Sequence, residues 1–114
     1  MIRTSSKNIK KIIAMTGSSG ILGKKFIQKY KNFTYKKIKF DITNNKKLTN
    51  WIRKNNFDAF LHLAAIVPIN KVMSNKEKAA EVNYTATKHI VDLLIKYKDN
   101  KNLFFFLRFY FSRI

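Results

Sequence analysis

The 114-residue sequence predicts a single α/β domain built around a parallel β-sheet. Three observations indicate this fold class. Apolar runs with the length of strands alternate with segments in which apolar residues recur at helical spacing. The first apolar run has apolar residues on both faces, as a central parallel strand does. That run ends directly in closely spaced glycines, where a strand can turn into a helix.

Four strands are predicted. Lys11–Thr16 is the first, and Asp58–Ile66 is a second buried run that Pro68, the only proline, closes. Tyr35–Phe40 alternates apolar residues with lysines, which is typical of a half-exposed strand at a sheet edge. Leu103–Phe111 is the last apolar run. Because strands and helices alternate, we expect right-handed βαβ units with helices on both faces of the sheet.

Three helices are predicted between these strands. The first covers Ile21–Lys31, and the second follows a cap at Thr43 or Asn44 and ends at about Lys54. The longest covers Lys76–Lys98. Its predicted buried stripe consists of apolar residues at helical spacing: Ala79, Val82, Ala86, Ile90, Leu93, Leu94 and Tyr97.

The composition excludes several classes of function. Without cysteine, the chain has no disulfide framework, thiolate metal site or cysteine nucleophile. The formal charge of +18 would suit nucleic acid, but the basic residues are scattered and match no nucleic-acid-binding motif. A solvated basic surface is the preferred interpretation, with no specific nucleic-acid partner. No apolar run reaches the length of a membrane span, and the basic N-terminus is not a signal peptide, so a cytoplasmic location is predicted.

The chain's three glycines all lie at the end of the first strand, three residues apart. Gly17 would make the turn, Gly20 would let a pyrophosphate approach the backbone, and Gly23 would let the helix pack on the strand. The helix starting near Ile21 would offer free N–H groups and the positive end of its dipole to the phosphates. The alternative is a turn without a ligand. The strand before and the helix after the glycines favour nucleotide binding.

Four motifs occur in a fixed order. They are T-G-S-S-G-I-L-G at Thr16–Gly23, F-D-I-T-N at Phe40–Asn44, H-L-A-A at His62–Ala65 and V-N-Y-T-A-T at Val82–Thr87. In this order and spacing they resemble the extended short-chain dehydrogenase/reductase family. The similarity is to its NAD-dependent epimerase/dehydratase group, which includes dTDP-4-dehydrorhamnose reductase-like proteins. The resemblance covers roughly residues 11 to 106.

The resemblance implies a Rossmann-like fold that binds NAD or NADP, and an epimerase, dehydratase or reductase acting on a nucleotide sugar. In the family, the aspartate of the second motif lies by the adenine, and the backbone of the third motif lines a ribose. Both serines of the glycine motif are interpreted as donors to phosphate. The implied cofactor-binding residues are Gly17, Ser18, Ser19, Gly20, Ile21, Leu22, Gly23, Asp41, Ile42, Leu63, Ala64 and Ala65.

The chain departs from the family pattern between the first two motifs. The family has two strands there and this chain has room for one, so Asp41 serves either the adenine or the ribose. With Lys36, Lys37 and Lys39 nearby, the choice between NAD and NADP stays open. Ala86 replaces the usual glycine of the fourth motif.

A further departure concerns the catalytic pair. The family's Tyr-x-x-x-Lys, whose tyrosine is the general acid/base, would follow the last strand, and this sequence ends before it. Three such strings precede that position, and we interpret them as coincidences in a lysine-rich chain: Tyr35/Lys39, Tyr84/Lys88 and Tyr97/Lys101. No catalytic residue is therefore predicted, and the chain alone is expected to lack turnover. A non-catalytic dinucleotide-binding module or regulator is the alternative function.

These expectations define a truncated Rossmann-like domain with about four strands and three helices. Residues 1–10 are a lead-in, and residues 11–114 are the incomplete NAD(P)-binding domain, with no substrate domain. The uncovered last strand, Leu103–Phe111, is expected to promote self-association. His62 is interpreted as a core histidine, and His89 has no partners at ligand spacing, so no metal is predicted.

Overall fold

The computed structural model describes residues 10–64 and 76–98. In these two ranges, strands and helices alternate along the chain, which confirms the predicted α/β class. The strands are β1 (Ile12–Thr16), β2 (Thr34–Lys37) and β3 (Ala59–His62). The helices are α1 (Ile21–Lys29), α2 (Asn45–Lys54) and α3 (Lys76–Lys98).

The three strands form one parallel sheet in the order β2-β1-β3. Ile13 of β1 aligns with Tyr35 of β2 on one side and with Ala59 of β3 on the other. At the amino end of the sheet, Asp58 extends the pairing of β1 and β3. Its backbone N–H donates to the Ile12 carbonyl at 2.7 Å, and its Oδ2 accepts from the Ile12 N–H at 2.8 Å. The central position of β1 explains why this strand is apolar on both faces.

Helices cover both faces of the sheet, as predicted. On one face, α2 and α3 pack over a core of nine buried residues: Ala14, Ile38, Leu48, Ile52, Phe57, Phe60, Ile90, Leu93 and Leu94. On the other face, Phe26 and Ile27 of α1 pack against Ile13, Met15 and Leu61. Alternate residues of β1 thus serve opposite cores, since successive strand side chains point to opposite faces.

The edge strand β2 is shorter than predicted. It ends at Lys37, although the Ile38 N–H still donates to the Met15 carbonyl at 2.8 Å. A turn follows, in which the Asn44 N–H donates to the Asp41 carbonyl at 2.9 Å, and this turn leads the chain into α2. The predicted alternation is confirmed beyond the strand itself. Ile38 and Phe40 contact the core beneath α2 and α3, while the intervening Lys39 is exposed.

The helices match their predicted ranges closely. α1 ends two residues earlier than expected, with the Tyr30 N–H donating to the Phe26 carbonyl. α2 ends at Lys54 as predicted, and its cap is Asn44, whose Oδ1 accepts from the Lys47 N–H at 3.1 Å. α3 has the predicted bounds.

The buried stripe of α3 is confirmed in its centre and differs near its end. Ala79, Ala86, Ile90, Leu93 and Leu94 are buried, while Val82 is half-buried and Tyr97 is 37% exposed. The buried residue at the end of the helix is Lys98 instead. Its Nζ donates to the Asn55 carbonyl at 2.9 Å and lies 5.2 Å from the centre of the Phe57 ring. A lysine can bury its aliphatic stem when its ammonium finds such partners, which helical spacing does not reveal.

Several predictions fall on residues outside the described ranges. They are the lead-in up to residue 9, the part of the predicted strand Asp58–Ile66 beyond Ala64, and the last strand at Leu103–Phe111.

Candidate functional site

The loop between β1 and α1, residues 17–20, lies at the carboxyl end of the sheet. We call it the glycine loop. Gly17 has a φ angle of +74°, in the left-handed region that favours glycine. A Cβ placed on Gly17 would lie 2.7 Å from both the Ala64 nitrogen and the Leu63 carbonyl carbon. The glycine loop therefore packs directly against the backbone that follows β3, and a side chain at Gly17 would separate them.

Gly23, in the first turn of α1, is buried against the same loop. A Cβ there would overlap the Gly17 carbonyl oxygen and lie 2.8 Å from the Ser18 Cα. Gly23 thus allows the helix to approach the strand it follows, as the spacing predicted. Gly17 and Gly23 are both required by the packing of the protein itself.

Gly20 differs from the other two glycines. Its φ and ψ of −78° and 174° are extended angles that any residue adopts. A Cβ on Gly20 would meet the Gly17 carbonyl oxygen at 3.6 Å, an ordinary contact, and no other described heavy atom within 4 Å. Neither backbone conformation nor internal packing requires a glycine here. Glycine is a favoured N-cap residue, and without a side chain it also leaves the backbone open to close approach by a ligand.

The amino end of α1 begins at this open space. Gly20 is its N-cap, and within the described part of the chain no side chain caps the helix and no acidic residue lies in its first turn. The first-turn N–H groups have no acceptor inside the helix, and the positive end of the dipole points the same way. Ile21 and Leu22 are 80% and 41% exposed beside it. The arrangement suits an anion flanked by an apolar group.

A buried polar network ties the carboxyl ends of β1 and β3 together. The Thr16 Oγ1 accepts from the N–H groups of Leu63 and Ala64, each at 3.0 Å. It also lies 2.7 Å from His62 Nδ1, while His62 Nε2 lies 3.4 Å from the Thr87 Oγ1 on α3. With two N–H groups already donating to the Thr16 oxygen, its own proton is directed at Nδ1. The network therefore assigns the ring proton to Nε2, facing Thr87.

His62 is neutral in this network. Burial lowers the pKa of His62 from 6.5 to about 4. Its side chain is 1% exposed, so the prediction of a core histidine is confirmed. A neutral ring can accept from the Thr16 hydroxyl, whereas a protonated ring would present a second N–H there. His62 thus positions the strand ends and offers no proton to solvent.

Asp41 lies beyond the carboxyl end of β2, at the same end of the sheet as the glycine loop. Its Oδ1 accepts from the Thr43 N–H at 3.0 Å and from the Thr43 hydroxyl at 2.8 Å. Both hydrogen bonds lower the pKa of the Asp41 carboxyl, and the one from the Thr43 backbone N–H has the larger effect. The exposed carboxylate is charged and also closes the turn before α2. Ile42 is half-buried against the core beneath α2 and α3.

The structure brings most of the predicted site residues to one edge of the sheet. Gly17–Gly23 lie beside Leu63 and Ala64, and Asp41 follows the neighbouring strand. Ala65 lies outside the described ranges. Thr16 was not assigned a role from the sequence, although its hydroxyl holds the two sides of the site together. Its position directly before the first glycine was the signal that could have identified it.

Two of the three tyrosine–lysine strings, Tyr35/Lys39 and Tyr84/Lys88, lie wholly within the described part of the chain. The Tyr35 hydroxyl donates to the Tyr30 carbonyl. The pKa of Tyr35 is raised, chiefly by burial. The Lys88 ammonium pairs with Asp92 at 3.0 Å, and that hydrogen bond raises its pKa. Tyr84 is 67% exposed. A general base would need a pKa lowered toward neutrality, and the shift at Tyr35 is in the opposite direction.

Other polar groups give no second site. Within residues 10–64 and 76–98, no three His, Asp or Glu side chains are grouped so that they could hold a metal ion. His89 has a buried Nε2 without a hydrogen-bond partner among the described residues. None of the described helices is long and apolar enough to cross a membrane.

Comparison with known proteins identifies the family. The family model described as the RmlD substrate binding domain matches residues 10–99. The chain belongs to this family. The predicted resemblance to extended short-chain dehydrogenases/reductases of the dTDP-4-dehydrorhamnose reductase type is thereby confirmed. No curated protein sequence matches the chain significantly.

Solved structures share the fold. One is a dTDP-4-dehydrorhamnose reductase from Bacillus anthracis str. Ames in complex with NADP. It is 17% identical in sequence with a TM-score of 0.69, and the match covers 83% of this chain and 35% of the reductase. Another is a UDP-glucose 4-epimerase from Thermotoga maritima with UDP-glucose. It is 15% identical with a TM-score of 0.64, and the match covers 82% of this chain and 37% of the epimerase. At these identities the likeness shows a Rossmann-like fold. The chain spans little more than a third of either structure.

The three glycines are expected to differ in their importance for stability. Gly17→Ala and Gly23→Ala should each lower the free energy of unfolding by roughly 1–3 kcal/mol, because the Cβ enters occupied space. Gly20→Ala should lower it by less, at most about 1 kcal/mol, because its Cβ meets open space and only the preference for glycine at the N-cap is lost. Urea unfolding followed by circular dichroism measures all three. A loss at Gly20 equal to that at Gly23 would contradict the open space described above.

Stability is expected to fall with acid because of His62. An unfolded chain takes up the His62 proton near pH 6.5, and the folded one only near pH 4, so the unfolded state binds more protons between these values. Stability should therefore rise with pH across this window, by about 3 kcal/mol from this residue. His62→Asn keeps an acceptor toward Thr16 and does not titrate. If the variant shows the same pH dependence as the parent between pH 4 and 7, His62 is not the cause.

Proposed function

We propose that this chain is the dinucleotide-binding part of a nucleotide-sugar epimerase, dehydratase or reductase that uses NAD or NADP. The observation that supports it best is Gly20, a glycine that the protein's own packing and backbone angles do not require. It stands at the uncapped start of α1, where a pyrophosphate would need both close approach and free N–H groups. Family membership points to the same chemistry.

The remaining predicted residues have consistent places around such a cofactor. The first-turn N–H groups of α1, with Ser18 and Ser19, would hold the pyrophosphate. The adenosine would extend toward the end of β2 and Asp41, and the other half toward Leu63, Ala64 and Ala65 after β3. When bound, the nicotinamide supplies hydride transfer to or from a sugar carbon. The protein residues named here bind and orient, and none of them moves a proton.

The substrate class is proposed from the similar structures. They include a UDP-glucose 4-epimerase with UDP-glucose and a dTDP-4-dehydrorhamnose reductase, so a nucleotide sugar is the substrate class we propose. The pKa of Tyr35 is raised and Tyr84 is largely exposed, which favours the view that this chain binds the cofactor without turnover on its own. The same observation supports the second candidate, a non-catalytic dinucleotide-binding module. Turnover of any nucleotide sugar in an NAD(P)H-linked assay would exclude the second candidate, whereas absence of turnover by this chain alone is expected of both.

Replacing Gly20 by valine should abolish dinucleotide binding and leave the helix content intact. A Cβ at Gly20 makes only an ordinary contact with the protein, at 3.6 Å from the Gly17 carbonyl oxygen, so the branched side chain would extend into the space above the loop. Isothermal titration calorimetry with NADH and NADPH measures the binding, and circular dichroism checks the fold. Gln28→Val, at an exposed position near the other end of α1, is the matched control and should bind normally. Unchanged affinity in Gly20→Val would refute the phosphate-binding role.

Replacing Asp41 by alanine should weaken binding of the adenosine half by roughly 1–3 kcal/mol, the value of a hydrogen bond to a charged group. Because Asp41 also holds Thr43, Asp41→Asn serves as the control that keeps an acceptor for the turn and removes the charge. Affinities for the dinucleotide and for nicotinamide mononucleotide, which has no adenosine, are compared. An equal loss for the mononucleotide would show that Asp41 acts elsewhere.

A further inference from the structure

We propose that Lys37 and Lys39 bind the 2′-phosphate of NADP, so that the site prefers NADP to NAD. The inference rests on the proposed dinucleotide-binding function and assigns the cofactor that the sequence leaves open. It follows from where the edge strand places its lysines relative to the glycine loop.

The register of the sheet brings these two lysines alongside the glycine loop. Lys37 aligns with Met15 of β1. The Ile38 N–H continues the ladder by donating to the Met15 carbonyl at 2.8 Å. Lys39 lies two residues after Lys37, and Gly17 lies two residues after Met15. Because the two strands are parallel, Lys39 is level with Gly17 at the carboxyl end of the sheet. The adenosine ribose of a dinucleotide held at the glycine loop lies at this end of the second strand.

The alternation of side chains places both lysines on the face that α1 covers. Met15 packs against residues of α1, and its aligned partner Lys37 shares its face. Ile38 and Phe40 contact the opposite core, so Lys39, between them, also points to the α1 side. Both lysines are exposed. They are therefore on the same side of the sheet as the helix whose amino end would hold the pyrophosphate.

Lys36 provides an internal contrast. It aligns with Ala14, which belongs to the core beneath α2 and α3, and so it lies on the opposite face of the sheet. The pleat of the strand thus distributes the three neighbouring lysines over the two faces of the sheet. Lys37 and Lys39 are on the α1 side, and Lys36 is a lysine of the same strand that cannot share their role.

One described carboxylate lies at this end of the sheet, beside the two lysines. A carboxylate at the end of the second strand selects NAD by accepting from the ribose 2′-hydroxyl, while a cation there accommodates the 2′-phosphate of NADP. Among the described acidic residues, Asp58 lies at the opposite end of the sheet, bonded to Ile12, and Glu77, Glu81 and Asp92 are on α3. Asp41 follows β2, and its Oδ1 accepts two hydrogen bonds from Thr43 in the turn before α2, which leaves Oδ2 as its acceptor for a ligand. We assign that oxygen to the adenine and the ribose to Lys37 and Lys39.

The test compares affinities for NADPH and NADH in four proteins by calorimetry at 50 mM salt. We expect the parent chain to bind NADPH at least about tenfold more tightly than NADH, the effect of one charge-assisted hydrogen bond. Lys37→Gln combined with Lys39→Gln should remove this preference and change NADH affinity less than about threefold. Lys36→Gln, on the other face, should behave like the parent. Gly20→Val should bind neither cofactor.

The outcomes distinguish this inference from the function on which it rests. Equal affinity of the parent for both cofactors, or a preference for NADH, overturns the inference and leaves the dinucleotide site intact. An equal loss for both cofactors in the double variant also overturns it, since the lysines would then act as a general positive field. If the parent binds neither cofactor, the proposed function fails and the inference fails with it. A preference that shrinks as salt is raised to 0.5 M supports the phosphate contact.

Discussion

The contact between the glycine loop and the end of β3 is the constraint on which the candidate site depends. Two chain segments that are 46 to 48 residues apart meet there, with the Thr16 hydroxyl accepting from both the Leu63 and the Ala64 N–H groups. Those two N–H groups lie beyond the regular pairing of β3, which ends at His62. The Leu63 N–H also donates to the Thr16 carbonyl at 3.3 Å. Without the hydroxyl, the half-buried Ala64 N–H would be left without this acceptor, at a cost of about 1–3 kcal/mol. The contact therefore holds the loop against the sheet.

The same contact explains why the three glycines are not equivalent. Gly17 must lack a side chain because the backbone after β3 is already there, and Gly23 must lack one because α1 presses on the loop. Both are consequences of the tight closure around Thr16. Gly20 lies on the side of the loop that this closure leaves open. One motif therefore combines two residues that build the loop with one whose absent side chain leaves room for a ligand.

Much of the fold could be predicted from the sequence, because periodicity and capping are local signals. The bounds of α2 and α3 followed from apolar spacing and from Asn44, and the central place of β1 followed from its two apolar faces. What the sequence could not show were contacts between distant segments. Lys98 is buried where it contacts Asn55 and Phe57, while Tyr97 is more exposed. Helical spacing allows either residue to continue the buried stripe, and side-chain hydropathy favours the tyrosine over the lysine.

The candidate site was predictable to a similar depth. Its glycines and Asp41 belong to motifs with recognisable spacing, so their positions at one sheet edge were expected. The hydrogen bonds that Thr43 donates to Asp41 were not expected, since they depend on the shape of the turn between β2 and α2. Thr16, His62 and Thr87 lie in three separate motifs, and their shared network depends on how β1, β3 and α3 pack.

Different interactions therefore determine the structure of the candidate site on its β3 side and on its β2 side. On the β3 side, buried hydrogen bonds and steric closure determine the geometry, so changes there alter folding as well as binding. On the β2 side, the groups that face the site are exposed: Lys37, Lys39 and the Asp41 carboxylate. Substitution of exposed residues costs little stability. The charge on the β2 side can therefore vary without disturbing the glycine loop, so under the proposed function cofactor preference could change while the pyrophosphate site is kept.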